Sequence, residues 1–171
     1  MFFPAYHVGK RTNESCRCFV KKFEVCIEEP TINNKLEIYS DGNFEYEIIL
    51  PETFGIDKIN YGQLIKIKNG GRLIRKEKRI IFGSPKIEDI ETTYVESHNS
   101  VFRGKLSRLV RKTKGFSKSE KQLDNHIAFF QFFWNYVNPL HKKQSPAMEE
   151  GMCDKLWTWG SFLHWKLTFV N

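Results

Sequence analysis

The chain lacks any long apolar run. Its hydrophobic stretches are short and broken by charge, so none supplies the ~20 residues that a membrane-spanning helix needs. The opening residues, Met1-Phe2-Phe3-Pro4-Ala5-Tyr6, have neither the basic start nor the apolar middle and cleavage site of a secretory leader. A cytoplasmic protein without membrane attachment is the expectation. Cysteine is scarce too: Cys16, Cys18, Cys26 and Cys153 are spaced for neither a disulfide framework nor a zinc site. Cys16, Cys18 and Cys26 fall in one predicted helix and read as small buried thiols. No internal repeat and no low-complexity segment is present, and no acidic residue occurs before Glu14.

What is there describes an ordinary folded domain. The 171 residues suffice for one core, and 40% hydrophobic with 15% aromatic residues excludes a disordered polymer. Lys and Arg number 27 against 20 Asp and Glu, for a net charge of +7. That balance makes anionic partners plausible, nucleic acid first and a membrane surface second.

The hydrophobic pattern lays out the elements. Residues 5 to 10 read as the end of a strand stopped by Gly9. Thr12 or Asn13 caps a helix with apolar residues at 16, 19, 20, 23 and 27. Pro30 and Asn33-Asn34 end it, and a strand over residues 36 to 40 runs into Asp41-Gly42. From 57 to 83 the pattern is that of a β insertion. Tyr61 to Lys68 and Arg72 to Arg75 flank Asn69-Gly70-Gly71 as a hairpin, and Arg79 to Phe82 is a third short run. Two long helices fill 95 to 137. The first carries Phe102, Leu106, Leu109, Val110 and Thr113 on one side, and Glu96, Ser100, Arg103, Ser107, Arg111 and Lys114 in a stripe beside them. Gly115 breaks it. Ser117-Lys118-Ser119-Glu120 fits a capping box for the second, whose aromatic residues are wide enough in arc to be core rather than base-stacking groups. Pro139 stops that helix, a short one follows near 147 to 151, and the tail from Leu156-Trp157 to Phe169 is apolar enough to dock.

Asp41 and Glu96 carry the chemistry. A carboxylate at a strand end facing a carboxylate on a helix is a layout that can hold a divalent metal beside a phosphodiester. Downstream of Glu96 lies a dense cationic segment, Lys105, Arg108, Arg111, Lys112, Lys114, Lys118 and Lys121. Arg72, Arg75, Lys76, Lys78 and Arg79 make a second. Contacts of such residues with phosphate give salt-sensitive, sequence-independent binding. His98 is placed to contact DNA or to orient Glu96, or is a surface histidine without a role, and His141 reads as a loop-capping residue.

Five short motifs, in order, resemble insertion-sequence transposases of the DDE class. They are Val8-Gly9-Lys10-Arg11-Thr12; Ser40-Asp41-Gly42; Val95-Glu96-Ser97-His98-Asn99 through Arg111-Lys112-Thr113-Lys114-Gly115-Phe116-Ser117-Lys118; Trp134-Asn135-Tyr136-Val137-Asn138-Pro139-Leu140-His141; and Ser145-Pro146-Ala147-Met148 with Gly151. They span almost the whole chain. Ser97 and Asn138 stand where basic residue types are common in that family. The resemblance implies an α/β, RNase H-like catalytic core, here a single partial domain over 1–171. It also implies metal-dependent cleavage and joining of DNA at element ends, with Asp41 and Glu96 as catalytic and metal-holding carboxylates. Asn99, Arg103, Arg108, Arg111, Lys112, Lys114 and Lys118 are the implied nucleic-acid contacts.

The family's first acidic residue lies on a strand well before the Val8 motif, and here no counterpart is present. The expectation is therefore an N-terminally truncated core, lacking its first strand or strands. Mg²⁺ or Mn²⁺ would be held weakly, cleavage would be impaired, and a sheet edge would be open to a second chain. Asp57, Asp89 and Glu91 have no spacing that recommends them as substitutes. Two other readings stand beside this one. In the first, the missing strand comes from a second polypeptide. In the second, the chain is a small basic nucleic-acid-binding protein whose carboxylates are structural.

Overall fold

The computed structural model describes residues 1–110, 114–140 and 143–164. Arg111, Lys112, Thr113, His141 and Phe169, which figure in the expectations above, lie outside the described residues. The chain divides into two compact units, Ala5–Lys118 and Met1–Pro4 with Ser119–Asn171.

In the first unit, Thr12 caps α1 (Asn13–Glu24) by accepting a hydrogen bond from the Ser15 N–H at 3.3 Å. Strand β1 (Leu36–Asp41) follows. A turn closed by the Asn43 N–H on the Asp41 carbonyl, 2.7 Å, leads into α2 (Glu45–Phe54). Hydrophobic periodicity identifies no element there, because Ile48-Ile49-Leu50 is a continuous apolar run and Pro51 reads as a breaker. Helix α2 crosses over to β2 (Ile59–Asn69), which runs parallel to β1 with Leu36 opposite Ile59 and Asp41 opposite Leu64. Gly70 and Gly71 supply the positive φ angles of the next turn, 56° and 80°, as a two-residue hairpin requires. Strand β3 (Arg72–Phe82) returns antiparallel, giving a three-stranded mixed sheet in the order β1-β2-β3.

Strand alternation gives the sheet two unlike faces. Ile59 and Tyr61 are fully buried on one, where they join Cys16, Val20, Ile49, Leu50 and Phe54 in the core, with Leu36 and Ile38 of β1 packed alongside. Tyr39, Asp41, Gly62, Leu64 and Lys66 fall on the other. Ile90 is pressed against Gly62 so closely that a Cβ at residue 62 would meet the Ile90 Cδ1 at 2.6 Å.

Several expectations are corrected. No strand forms over residues 5 to 10. The 57–83 block is no separate insertion: its first half is the central strand of the sheet, and its second and third runs are one continuous strand. The helix at Glu96, α3, spans only Thr93–Lys105, with a single 3-10 turn at Ser107–Leu109 beyond Leu106. Ser107 and Lys114 therefore do not extend the Glu96–Ser100–Arg103 row. No acidic residue lies between Glu96 and Glu120 to offset the crowd of cations, and Gly104 weakens the final turn. Of the three clustered cysteines only Cys16 is buried; Cys18 is exposed, and Cys26 is exposed beyond the end of α1.

In the second unit, Ser119 rather than Ser117 caps α4 (Glu120–Phe132), accepting from the Gln122 N–H at 3.4 Å. A π-helical turn, Phe133–Val137, extends it, followed by α5 (Pro146–Glu149) and α6 (Trp159–His164). The aromatic residues pack on one another, with Phe130 and Trp134 buried as expected of a core and Phe129 half exposed. Phe129 stacks on Trp159 at 4.9 Å between ring centroids, and Phe132 meets Phe162 at 4.3 Å. The tail thus docks through Trp157, Trp159 and Phe162. Asn135 is buried and clamps the first residues of the chain, accepting from the Phe3 N–H at 2.9 Å and donating to the Phe3 carbonyl at 2.8 Å.

Candidate functional site

Asp41 and Glu96 line one cleft of about 580 Å³ in the first unit. Phe19, Val20 and Phe23 of α1 and Tyr46 and Leu50 of α2 form its apolar wall. Thr92, Val95, Glu96 and Asn99 form the other, with Lys66 between. Five consecutive residues of β1, Glu37 to Asp41, all touch it. Successive strand side chains point to opposite faces, so a single cleft reached by all five must run along the strand's edge. Among the described residues that edge of β1 pairs with no other strand.

Each carboxylate is held by a cation. The Arg11 guanidinium donates to Asp41 Oδ2 at 3.5 Å, with both side chains largely exposed. Glu96, in the first turn of α3, accepts from the Lys66 ammonium and, at 2.7 Å, from the Thr92 hydroxyl. The hydrogen bond from Lys66, followed by that from Thr92, holds the Glu96 carboxyl below its usual range. Its position at a helix N-terminus works in the same direction.

Lys66, Thr92 and Glu37 escape sequence reasoning. Glu37 is legible in hindsight, since Glu37, Tyr39 and Asp41 alternate onto one face of β1. Tyr39 donates to Glu37 at 2.9 Å, and burial, then this bond, pushes the phenol up to about 12. Four residues along a strand is roughly 13 Å, too far for Glu37 to join Asp41 on one ion. Lys66 carries no signal in the sequence, because its role follows from the strand register.

The donors are hard oxygens, right in kind for Mg²⁺ or Mn²⁺ but short in number. No group of three or more His, Cys, Asp or Glu residues that could hold a metal occurs among the described residues. None of Asp57, Asp89 and Glu91 lines the cleft, and Glu91 pairs with Lys78 at 2.9 Å. The described residues do not make a complete two-metal site.

Of the expected nucleic-acid contacts among the described residues, Asn99 alone lines the cleft. Arg103 lies in the last turn of α3, and Arg108 in the 3-10 turn donates to the Ser117 hydroxyl at 3.3 Å. Lys114 and Lys118 are exposed in the connection that follows, and Arg111 and Lys112 lie outside the described residues. His98 turns away from Glu96. Its Nδ1 is 3.2 Å from the Tyr94 carbonyl and its ring meets Phe102 edge-on, while burial lowers its pKa. No helix among the described residues is long and apolar enough to cross a membrane. Comparison with models of protein families, with curated proteins and with solved structures finds no match to the chain.

Proposed function

We propose that the chain is a DNA-binding relative of DDE transposases, with an RNase H-like core whose catalytic centre is incomplete. The observation that carries this reading is the meeting of Asp41 and Glu96, from a strand end and a helix start, on one cleft beside Lys66. The motif order and the net charge of +7 agree with it. A Mg²⁺ or Mn²⁺ ion would draw on Asp41 and Glu96 and must compete with Arg11 and Lys66, so binding is weak. A bound ion would supply charge neutralisation at phosphate oxygens. The described residues contribute the cleft, the cations and the carboxylates, but no third acidic ligand, and on this reading cleavage by the chain alone is negligible. Arg103, Arg108, Lys114 and Lys118 supply phosphate contacts. The open β1 edge supports association with another copy or with a second transposase chain. An exposed thiol outside any disulfide, Cys18, suits the cytoplasm, where we place the protein.

One observation favours a second reading, a small basic nucleic-acid-binding protein without catalysis. Both carboxylates are already neutralised by cations of the same chain, as structural ion pairs would be. Thermal melting with and without Mn²⁺ separates the two. The transposase-like reading expects a Mn²⁺-dependent rise in Tm that Asp41→Asn or Glu96→Gln abolishes. A melting curve indifferent to Mn²⁺, or a rise that survives both changes, leaves only the second reading.

A further inference from the structure

The β2–β3 ribbon looks uniformly basic in the sequence, yet its register sorts the charges. Lys66 lies directly opposite Lys76, and Leu64 opposite Lys78, so these side chains share the face that bears Asp41; Lys68, two residues beyond Lys66, follows them. Arg75, Glu77 and Arg79 pair with Ile67, Ile65 and Gln63 and occupy the other face. There Glu77 binds both arginines, Arg75 at 2.5 Å and Arg79 at 3.1 Å, so the charge is largely satisfied within the ribbon. The lysine face is different. Lys66 and Lys78 are met by Glu96 and Glu91, which lie outside the ribbon, while Lys68 and Lys76 form no ion pair among the described residues. Lys76 stands near enough to both glutamates to help lower their pKa values, after the larger contributions of Lys66 and Lys78.

From this geometry we propose that Lys66, Lys68, Lys76 and Lys78 form a track for the sugar–phosphate backbone of a nucleic acid, leading along the ribbon to the Asp41–Glu96 cleft. The proposal rests on the DNA-binding reading above and adds a surface on the ribbon to the phosphate contacts given there. Two like charges directly opposite in a sheet repel and weaken the pairing, a cost that Glu96 offsets at Lys66 and that an anionic partner would offset further at Lys76. The place of the row also argues for it. Strand β1 ends opposite Leu64, so from Ile65 onward the ribbon is two-stranded and passes from half-buried to exposed, a shape that fits a DNA major groove. Lys66, Lys68 and Lys76 lie there, Lys78 stands opposite Leu64 at its inner end, and Lys66 reaches the cleft, where it touches Glu96.

The test compares two variants of equal charge change, Lys68→Gln/Lys76→Gln on the lysine face and Arg75→Gln/Arg79→Gln on the other. Binding of the full chain to a fluorescent duplex of about 30 base pairs, and to the matching single strand, is followed by anisotropy over a range of KCl concentrations. The lysine variant is expected to flatten the slope of log Kobs against log[KCl] by about 1.8 on duplex or about 1.4 on single strand, whichever binds. The arginine variant should change it by less than half as much. Equal losses in both variants would mean generic charge and overturn the track. So would absence of binding by the wild type, or tighter binding to phosphatidylglycerol vesicles than to either nucleic acid. The Mn²⁺ shift and its loss in the Asp41 and Glu96 variants report on the carboxylates alone. The track and the metal reading can therefore fail separately.

Discussion

Strand β2 is two strands end to end. From Ile59 to Leu64 it pairs with β1, from Tyr61 onward with β3 as well, and Ile59, Tyr61, Gln63 and Leu64 are all at most 2% exposed. From Ile65 to Asn69 it has only β3 beside it and passes from half-buried to exposed. The inner half gains from apolar burial and from a closed polar cluster. In that cluster Tyr61 shares a hydrogen bond with the Ser40 hydroxyl at 2.7 Å and accepts one from Gln63 at 2.8 Å. The outer half has no comparable packing and carries Lys66 and Lys68. Stability and charge are therefore separated along one strand, with the candidate site at the junction, where Asp41 faces Leu64 and Lys66 reaches Glu96.

The sharpest test of this division removes the same atoms from each half. Ile59→Ala empties a fully buried site in the core and should cost about 3 kcal/mol. Ile67→Ala, in the outer half, should cost about 1 kcal/mol or less, because the residue remains partly in water. Urea melts of the two variants give the comparison. Equal losses would show that the outer half is packed as firmly as the inner. Gly62→Ala comes next, because its new methyl would press on Ile90. We expect about 1–3 kcal/mol of destabilisation. In the background of Ile90→Ala the same change should cost much less, since the obstructing side chain is gone. Additive losses in the double variant would place the strain elsewhere.

Elements marked by local signals are easier to read in the sequence than the site they support. Alternation around Asn69-Gly70-Gly71 marks the hairpin, and the Thr12 cap with apolar spacing at 16, 19, 20 and 23 marks α1. These are local signals. Helix α2 is hidden by Pro51 and by an apolar run with no period, and its fold is settled by packing of Ile49, Leu50 and Phe54 against α1 and β2. The helix at Glu96 was read too long, because hydrophobic spacing through Leu109 continues past the point where unrelieved positive charge and Gly104 end it. At the site, Asp41 and Glu96 stood out by type and context. Lys66 could not, since its partnership with Glu96 joins residues 30 apart and depends on a parallel β1–β2 register that no local pattern encodes.

Acid should probe that junction without disturbing the core. The Glu96 carboxyl is lowered below its ordinary value by Lys66 and Thr92, so its charged form stabilises the fold above the unfolded-state pKa. That contribution is lost as pH falls through the depressed folded value, below roughly pH 4.3. The carboxyl is exposed, so solvent screening keeps the effect under about 1 kcal/mol. Glu96→Gln should lower stability slightly at pH 7 and converge with the wild type near pH 3, and urea melts across that range measure it. A gap that persists at pH 3 would assign the loss to packing or to the Thr92 hydrogen bond instead of charge.

The smallest expected effect has the opposite sign. Lys76 faces Lys66 directly across the ribbon, and replacing it with a neutral β-branched residue removes a repulsion while improving the fit to a strand. Lys76→Thr should therefore raise stability by about 0.5 kcal/mol at low salt, and the gain should shrink as salt screens the lysines. The core of β2 has no position where a comparable change helps, because its residues are already satisfied. The sign thus distinguishes the two halves even though the magnitude is modest. If Lys76→Thr melts higher than the wild type yet binds nucleic acid less tightly, the outer half trades stability for affinity. If it melts lower, Lys76 holds Glu91 and Glu96 in place, and the lysine face belongs to the scaffold.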